Sequence, residues 1–180
     1  MNRGIFDDDD DFSVREIEVY GDSDSSVDVK IDQEWMSEPD RVDCVYMGYQ
    51  CIISRDNITG SLCGYVGIVE GHPYFGVDYD DLHIDVHGGL TFSEFGGSIF
   101  ENNDQWMKLY YKDEFNADGK KLWWVGFDCC HYNDVLPMIN CNALGNTDLG
   151  IFGDSASYKN MHYVTDQVFK IVRQCISADY

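Results

Sequence analysis

Leu122-Trp123-Trp124-Val125-Gly126-Phe127-Asp128 carries no charge until its last residue. A run this short and this apolar reads as the inner strand of a sheet. A strong turn precedes it at Asn116-Ala117-Asp118-Gly119, and Cys129-Cys130-His131 follows it. Upstream, residues 44–54 (CVYMGYQCIIS) are β-branched and aromatic and read as a central strand. Residues 62–69 (LCGYVGIV) supply another, with Gly64 and Gly67 marking a close backbone approach or a bulge. The chain closes on its one clear helix, from Ser157 or Tyr158 to about Ser177. Met161, Val164, Val168, Ile171, Val172 and Cys175 share its inner stripe. The predicted class is α+β: a mainly antiparallel β-sheet with a C-terminal α-helix packed on it and an acidic N-terminal region. Residues 1–43 form that region and residues 44–180 the folded domain.

Between the second strand and the turn lies Gly71 to Thr91, GHPYFGVDYDDLHIDVHGGLT, which holds three of the five histidines. Leu82, Ile84 and Val86 alternate with His83, Asp85 and His87, as a short half-buried strand would. Neutral imidazoles with a carboxylate suit zinc or a similar first-row ion. His72, His87, Asp128 and His131 make the usual four ligands, with His83 and Asp85 orienting them from outside. The bland alternative is a set of hydrogen-bonded loop histidines. A hydrolytic centre would also need a base, for which Glu70, Asp81, Asp85 and Asp134 are available. No HExxH, EF-hand, P-loop, GxGxxG or GxSxG pattern is present. Cys129 or Cys130 with His131 is a weaker nucleophile option, because strand cysteines are usually inert core. The preferred role for the ion is structural, tying strands of a loop-rich domain together.

Composition bounds the partners. Thirty-three acidic residues against 12 basic give a net charge of −21 in 180 residues. Such a surface repels DNA, RNA and anionic membranes and attracts basic surfaces, including those that hold nucleic acid. Asp7 to Asp11 is an unbroken aspartate run. Within the acidic region Val14, Ile17 and Val19, then Val27, Val29 and Ile31, alternate as two short strands around Gly21-Asp22-Ser23. Carboxylates on one face of such a ribbon recur every ~7 Å, close to the phosphate spacing of a nucleic-acid strand. Mimicry of DNA is therefore physically possible. Seven cysteines at irregular spacing, without a CxxC pair, read as reduced thiols in a cytoplasm. No stretch approaches the ~20 apolar residues of a membrane span, and the first residues lack the blocks of a secretory signal.

Several motifs together resemble a small protein family encoded by phages and mobile elements. They are Cys63-Gly64-Tyr65-Val66-Gly67, Gly71-His72-Pro73, Val86-His87-Gly88-Gly89-Leu90-Thr91, and Trp123-Trp124-x-Gly126-Phe127-Asp128-Cys129-x-His131. The resemblance covers roughly residues 44–177, including the Tyr158 to Val164 start of the helix. Taken with the charge, the chain is similar to anti-CRISPR proteins, metal-containing inhibitors of the type II RNA-guided nuclease. This implies a phage protein acting in the host bacterial cytoplasm. Its partner would be the basic surface of a CRISPR effector nuclease, its effect blocked DNA loading, and it would touch neither nucleic acid nor membrane itself. A structural divalent metal, zinc by its ligand types, would complete it without catalysis. The rival expectation is a metal-dependent hydrolase acting on a nucleotide or a defence signal.

Overall fold

The computed structural model describes residues 12–18, 34–96, 115–139 and 156–179. Among these residues six strands form one antiparallel sheet: β1 (Phe12–Glu18), β2 (Arg41–Tyr46), β3 (Tyr49–Arg55), β4 (Leu62–Val69), β5 (Phe92–Phe95) and β6 (Leu122–Asp128). Their spatial order is β1-β2-β3-β4-β6-β5. The run from Leu122 is thus an inner strand, paired with β4 and β5. A one-turn helix α1 (Glu34–Ser37) precedes β2, and the long helix α2 (Met161–Ala178) lies against one face of the sheet. The α+β architecture with a C-terminal helix on an antiparallel sheet is as the pattern of residues implied.

Helix α2 starts where Asn160 caps it, the side-chain oxygen accepting from Tyr163 N at 2.9 Å. Its buried stripe is Met161, Val164, Thr165, Val168, Ile171, Val172 and Cys175. Gly64 on β4 is what lets it sit so close. A Cβ there would lie 2.6 Å from both Phe127 and Val168 side chains, so any other residue would push helix from sheet. Glu38 reaches the helix start as well, accepting from Met161 N at 2.6 Å and from Tyr158 Oη at 2.5 Å. Buried Arg55 then ties Glu38, Asp40, Gly60 O and Tyr158 into one network at 2.8–3.1 Å.

Three expectations change. Residues 44–54 are a hairpin rather than one strand. Met47 (φ 48°) and Gly48 (φ 86°) form a two-residue turn of the kind that matches strand twist, and Tyr46 pairs with Tyr49 across it. Strand β1 falls inside the acidic region, but its partner is β2, and β2 itself begins at Arg41, before residue 44. The other half of the expected acidic hairpin, from Val27 to Ile31, lies outside the described residues, as does Val19. Residues 82–86 do bury Leu82, Ile84 and Val86 and expose His83 and Asp85, yet they join no strand. Their backbone is satisfied by helix side chains instead. Gln174 accepts from Asp85 N at 2.7 Å and donates to Asp85 O at 2.9 Å, while Gln167 accepts from His87 N at 3.0 Å.

Candidate metal centre

The end of β6 turns sharply after Asp128. Asp134 N donates to His131 O at 3.0 Å, and Asn133 takes the left-handed conformation (φ 72°) that asparagine tolerates. This turn swings the Asp134 side chain inward, where it is 1% exposed. A buried carboxylate needs compensation. Asp134 Oδ2 accepts from His131 N at 2.9 Å and from His87 Nε2 at 2.8 Å, and Lys159 Nζ stands 3.6 Å from Oδ1. On the far side of its ring, His87 Nδ1 meets Tyr163 Oη at 3.0 Å. With Nε2 donating to the carboxylate, Nδ1 accepts the phenol proton. The strip on which Gln167 and Gln174 hold residues 85–87 is what brings His87 over the helix.

His131 completes the group. Its ring stands edge-on to that of His87, with centroids 5.3 Å apart. Its Nδ1 is buried and hydrogen-bonds to nothing among the described residues, although the ring as a whole is partly exposed. Two carboxylates flank that atom: Asp134 Oδ2 at 3.6 Å and Asp128 Oδ1 at 3.7 Å. Gly88, at φ 66°, leaves the room. A Cβ there would fall 2.3 Å from the His131 ring.

His87, His131 and Asp134 form a group that can hold a metal ion, their donor atoms lying within 4.8 Å of one another. Tetrahedral bonds of ~2.05 Å place donors about 3.3 Å apart. The gaps of 2.8 Å (His87 Nε2 to Asp134) and 3.6 Å (His131 Nδ1 to Asp134) bracket that value. An orphaned buried nitrogen facing carboxylates is what a cation would satisfy. His87 Nδ1–H would then donate to Tyr163 Oη, the usual outer partner of a ligating imidazole.

The four residues expected as ligands divide. His87 and His131 come together. Asp128 stands next to His131, but its Oδ2 accepts from Thr91 Oγ1 at 2.8 Å and its Oδ1 from Cys130 N at 2.9 Å. His72 is elsewhere. Its Nδ1 accepts from Tyr74 N at 3.0 Å and its Nε2 pairs with Cys175 O at 3.1 Å, so it has no lone pair left for a metal. Its task is to satisfy one of the four carbonyls stranded at the C-terminus of α2. His83 is exposed, and Asp85 pairs with Lys170 at 2.7 Å, so neither orients the centre. Asp134, read from the sequence only as a spare base, is the central carboxylate. The His131-x-x-Asp134 spacing across an asparagine turn is the signal that identifies it.

The cysteines beside the centre are poor nucleophiles. Burial, then the Asp134 carboxylate, drives the Cys129 thiol far above its ordinary range. Cys130 is raised by burial and by Asp128, Asp56 and Asp134 in turn. Tyr163 is likewise held protonated, by burial first and then by Cys129 and Asp134. Comparison with protein-family models, with curated proteins and with solved structures returns no match for this chain. Among the described residues no helix is long and apolar enough to cross a membrane.

Proposed function

We propose that the protein is a metal-dependent hydrolase whose His87–His131–Asp134 centre holds zinc. One observation supports this over a purely structural ion: among the described residues only three protein donors converge. Structural zinc sites close with four, whereas catalytic ones leave a position for water or substrate. Zinc bound there supplies a Lewis acid that polarises a carbonyl and makes water a better nucleophile at neutral pH. Buried Asp134 positions the His87 ring and the His131 backbone, Tyr163 holds the His87 tautomer, and half-exposed Asp128 beside His131 is placed to accept a proton. The net charge of −21 disfavours nucleotides and favours neutral or cationic substrates. Cobalt substitution tests the open position. The cobalt protein should change its visible spectrum when acetohydroxamate is added. A four-ligand tetrahedral spectrum indifferent to the hydroxamate would return the ion to a structural role, and absence of metal uptake would end the reading.

The charge favours a second reading. Here the chain is an acidic inhibitor that docks on the basic, nucleic-acid-handling surface of a CRISPR effector nuclease and blocks DNA loading, as the resemblance implies. Its test is reversal of Asp7 to Asp11 to lysine. Glu38, Asp40 and Asp43 must be spared, because they pair with Arg55 and Arg41 inside the fold. Inhibition of a type II effector should vanish in that variant and weaken steeply with salt in the parent. Inhibition indifferent to both would eliminate it.

A further inference from the structure

On the sheet face away from α2, beside the turn that carries His131, the end of β4 and β6 opens into a cavity of about 380 Å³. That is the size of a small-molecule site. Asp56, Cys63, Tyr65, Thr91, Phe92 and Asp128 are among its walls. Tyr65 and Phe92 meet edge to face, ring centroids 5.5 Å apart and planes at 90°, and make a rigid aromatic side. Asp56 and Asp128 bring two carboxylates to it, and among the described residues no lysine, arginine or histidine lines the space. Asp56 is buried, and among the described residues its side-chain hydrogen bonds all arrive at Oδ1, from Ile58 N, Thr59 N and Thr59 Oγ1. Asp128 is shared. It lines the cavity and also approaches His131 of the metal centre at 3.7 Å.

We propose that this cavity binds a small organic cation, a primary amine or amidinium on an apolar body, with Asp128 and Asp56 receiving the charge and Tyr65 and Phe92 the body. Coupled to the hydrolase reading, on which this last step rests, the substrate of the centre is an amine-bearing molecule delivered past Asp128. Burial, and then Asp128 and Asp56, lift Cys63 to about 12 against a partial offset from Tyr65. Among the described lining residues the charged groups are the two carboxylates, so an anion would be repelled and a neutral body would leave them without a counter-charge.

Benzylamine is the probe, with benzyl alcohol and benzoate as isosteric controls. Saturation-transfer NMR on the full chain is run with excess chelator, so that metal plays no part. Benzylamine should bind about tenfold more tightly than benzyl alcohol, and benzoate should not bind. Asp128→Asn and Phe92→Ala should each weaken it by about tenfold. Asp118→Asn, which removes the same charge from an exposed turn, should leave it unchanged. Equal loss in Asp118→Asn would reduce the effect to net charge and overturn the proposal, as would benzoate binding equal to benzylamine. Amine binding in chelator alongside a failed cobalt test keeps the cavity and removes the hydrolase; the opposite pattern removes the cavity alone.

Discussion

His87 and His72 are two hydrogen-bonded imidazoles whose contacts have opposite consequences. Tyr163 faces the outer nitrogen of His87, so replacing it with phenylalanine leaves the fold's contacts almost intact while freeing the ring. Zinc affinity, measured by chelator competition, should fall about 10- to 100-fold, the usual loss when an outer partner of a ligand is removed. The melting temperature of the chelated protein should barely move. His72→Phe should do the reverse. It strands Tyr74 N and Cys175 O in a buried place, which costs about 1–3 kcal/mol in urea unfolding. Zinc affinity should be unchanged, and any large loss would put His72 back in the centre. In the sequence the two histidines look alike, each beside glycine in the same stretch. Only three-dimensional placement separates a ligand from a helix-end donor, since both tasks call for a buried imidazole.

Among the elements, the strip at residues 82–87 was half legible. Its alternation correctly sorts buried Leu82, Ile84 and Val86 from exposed His83 and Asp85, because any extended chain lying on a core has period two. What alternation does not specify is the hydrogen-bond partner, and here two glutamines about two turns apart replace a neighbouring strand. Strand β6 was read to its ends, and the buried stripe of helix α2 was read too, although the helix starts at Met161 rather than at Ser157 or Tyr158 because Asn160 caps it there. The Met47-Gly48 hairpin was hidden because methionine is a rare occupant of a left-handed turn position. The glutamine zipper makes its own prediction. Gln167→Ala with Gln174→Ala should raise hydrogen exchange at Asp85 and His87 amides by at least about an order of magnitude while the β4–β6 amides stay protected. Zinc affinity should drop with it, because His87 is held over the helix by that strip. Unchanged exchange at His87 would show that side-chain burial alone fixes the strip.

The whole molecule combines a strongly negative surface with a core that keeps its thiols neutral. Cys63 and Cys175 are raised from 9.0 to about 12, both chiefly by burial. A group whose folded value lies above its unfolded one holds more protons in the native state between the two. Stability from these thiols is therefore complete below pH 9 and declines as pH rises towards 12. Within that window each contributes a slope of about 1.4 kcal/mol per pH unit. The surface acts in the same direction, since lysines lose charge in that range and leave the −21 excess less balanced. Urea midpoints should accordingly hold steady from pH 7 to about 8.5 and then fall steeply. Two variants separate the causes. Cys63→Ala with Cys175→Ala removes two of the raised thiols from the core and should make the fall shallower, although its midpoint at pH 7 will be lower for the lost packing. Adding salt screens the surface but leaves buried thiols untouched, so it should raise the alkaline midpoints without changing where the fall begins. If salt alone abolished the decline, surface repulsion and not the core would set the alkaline limit.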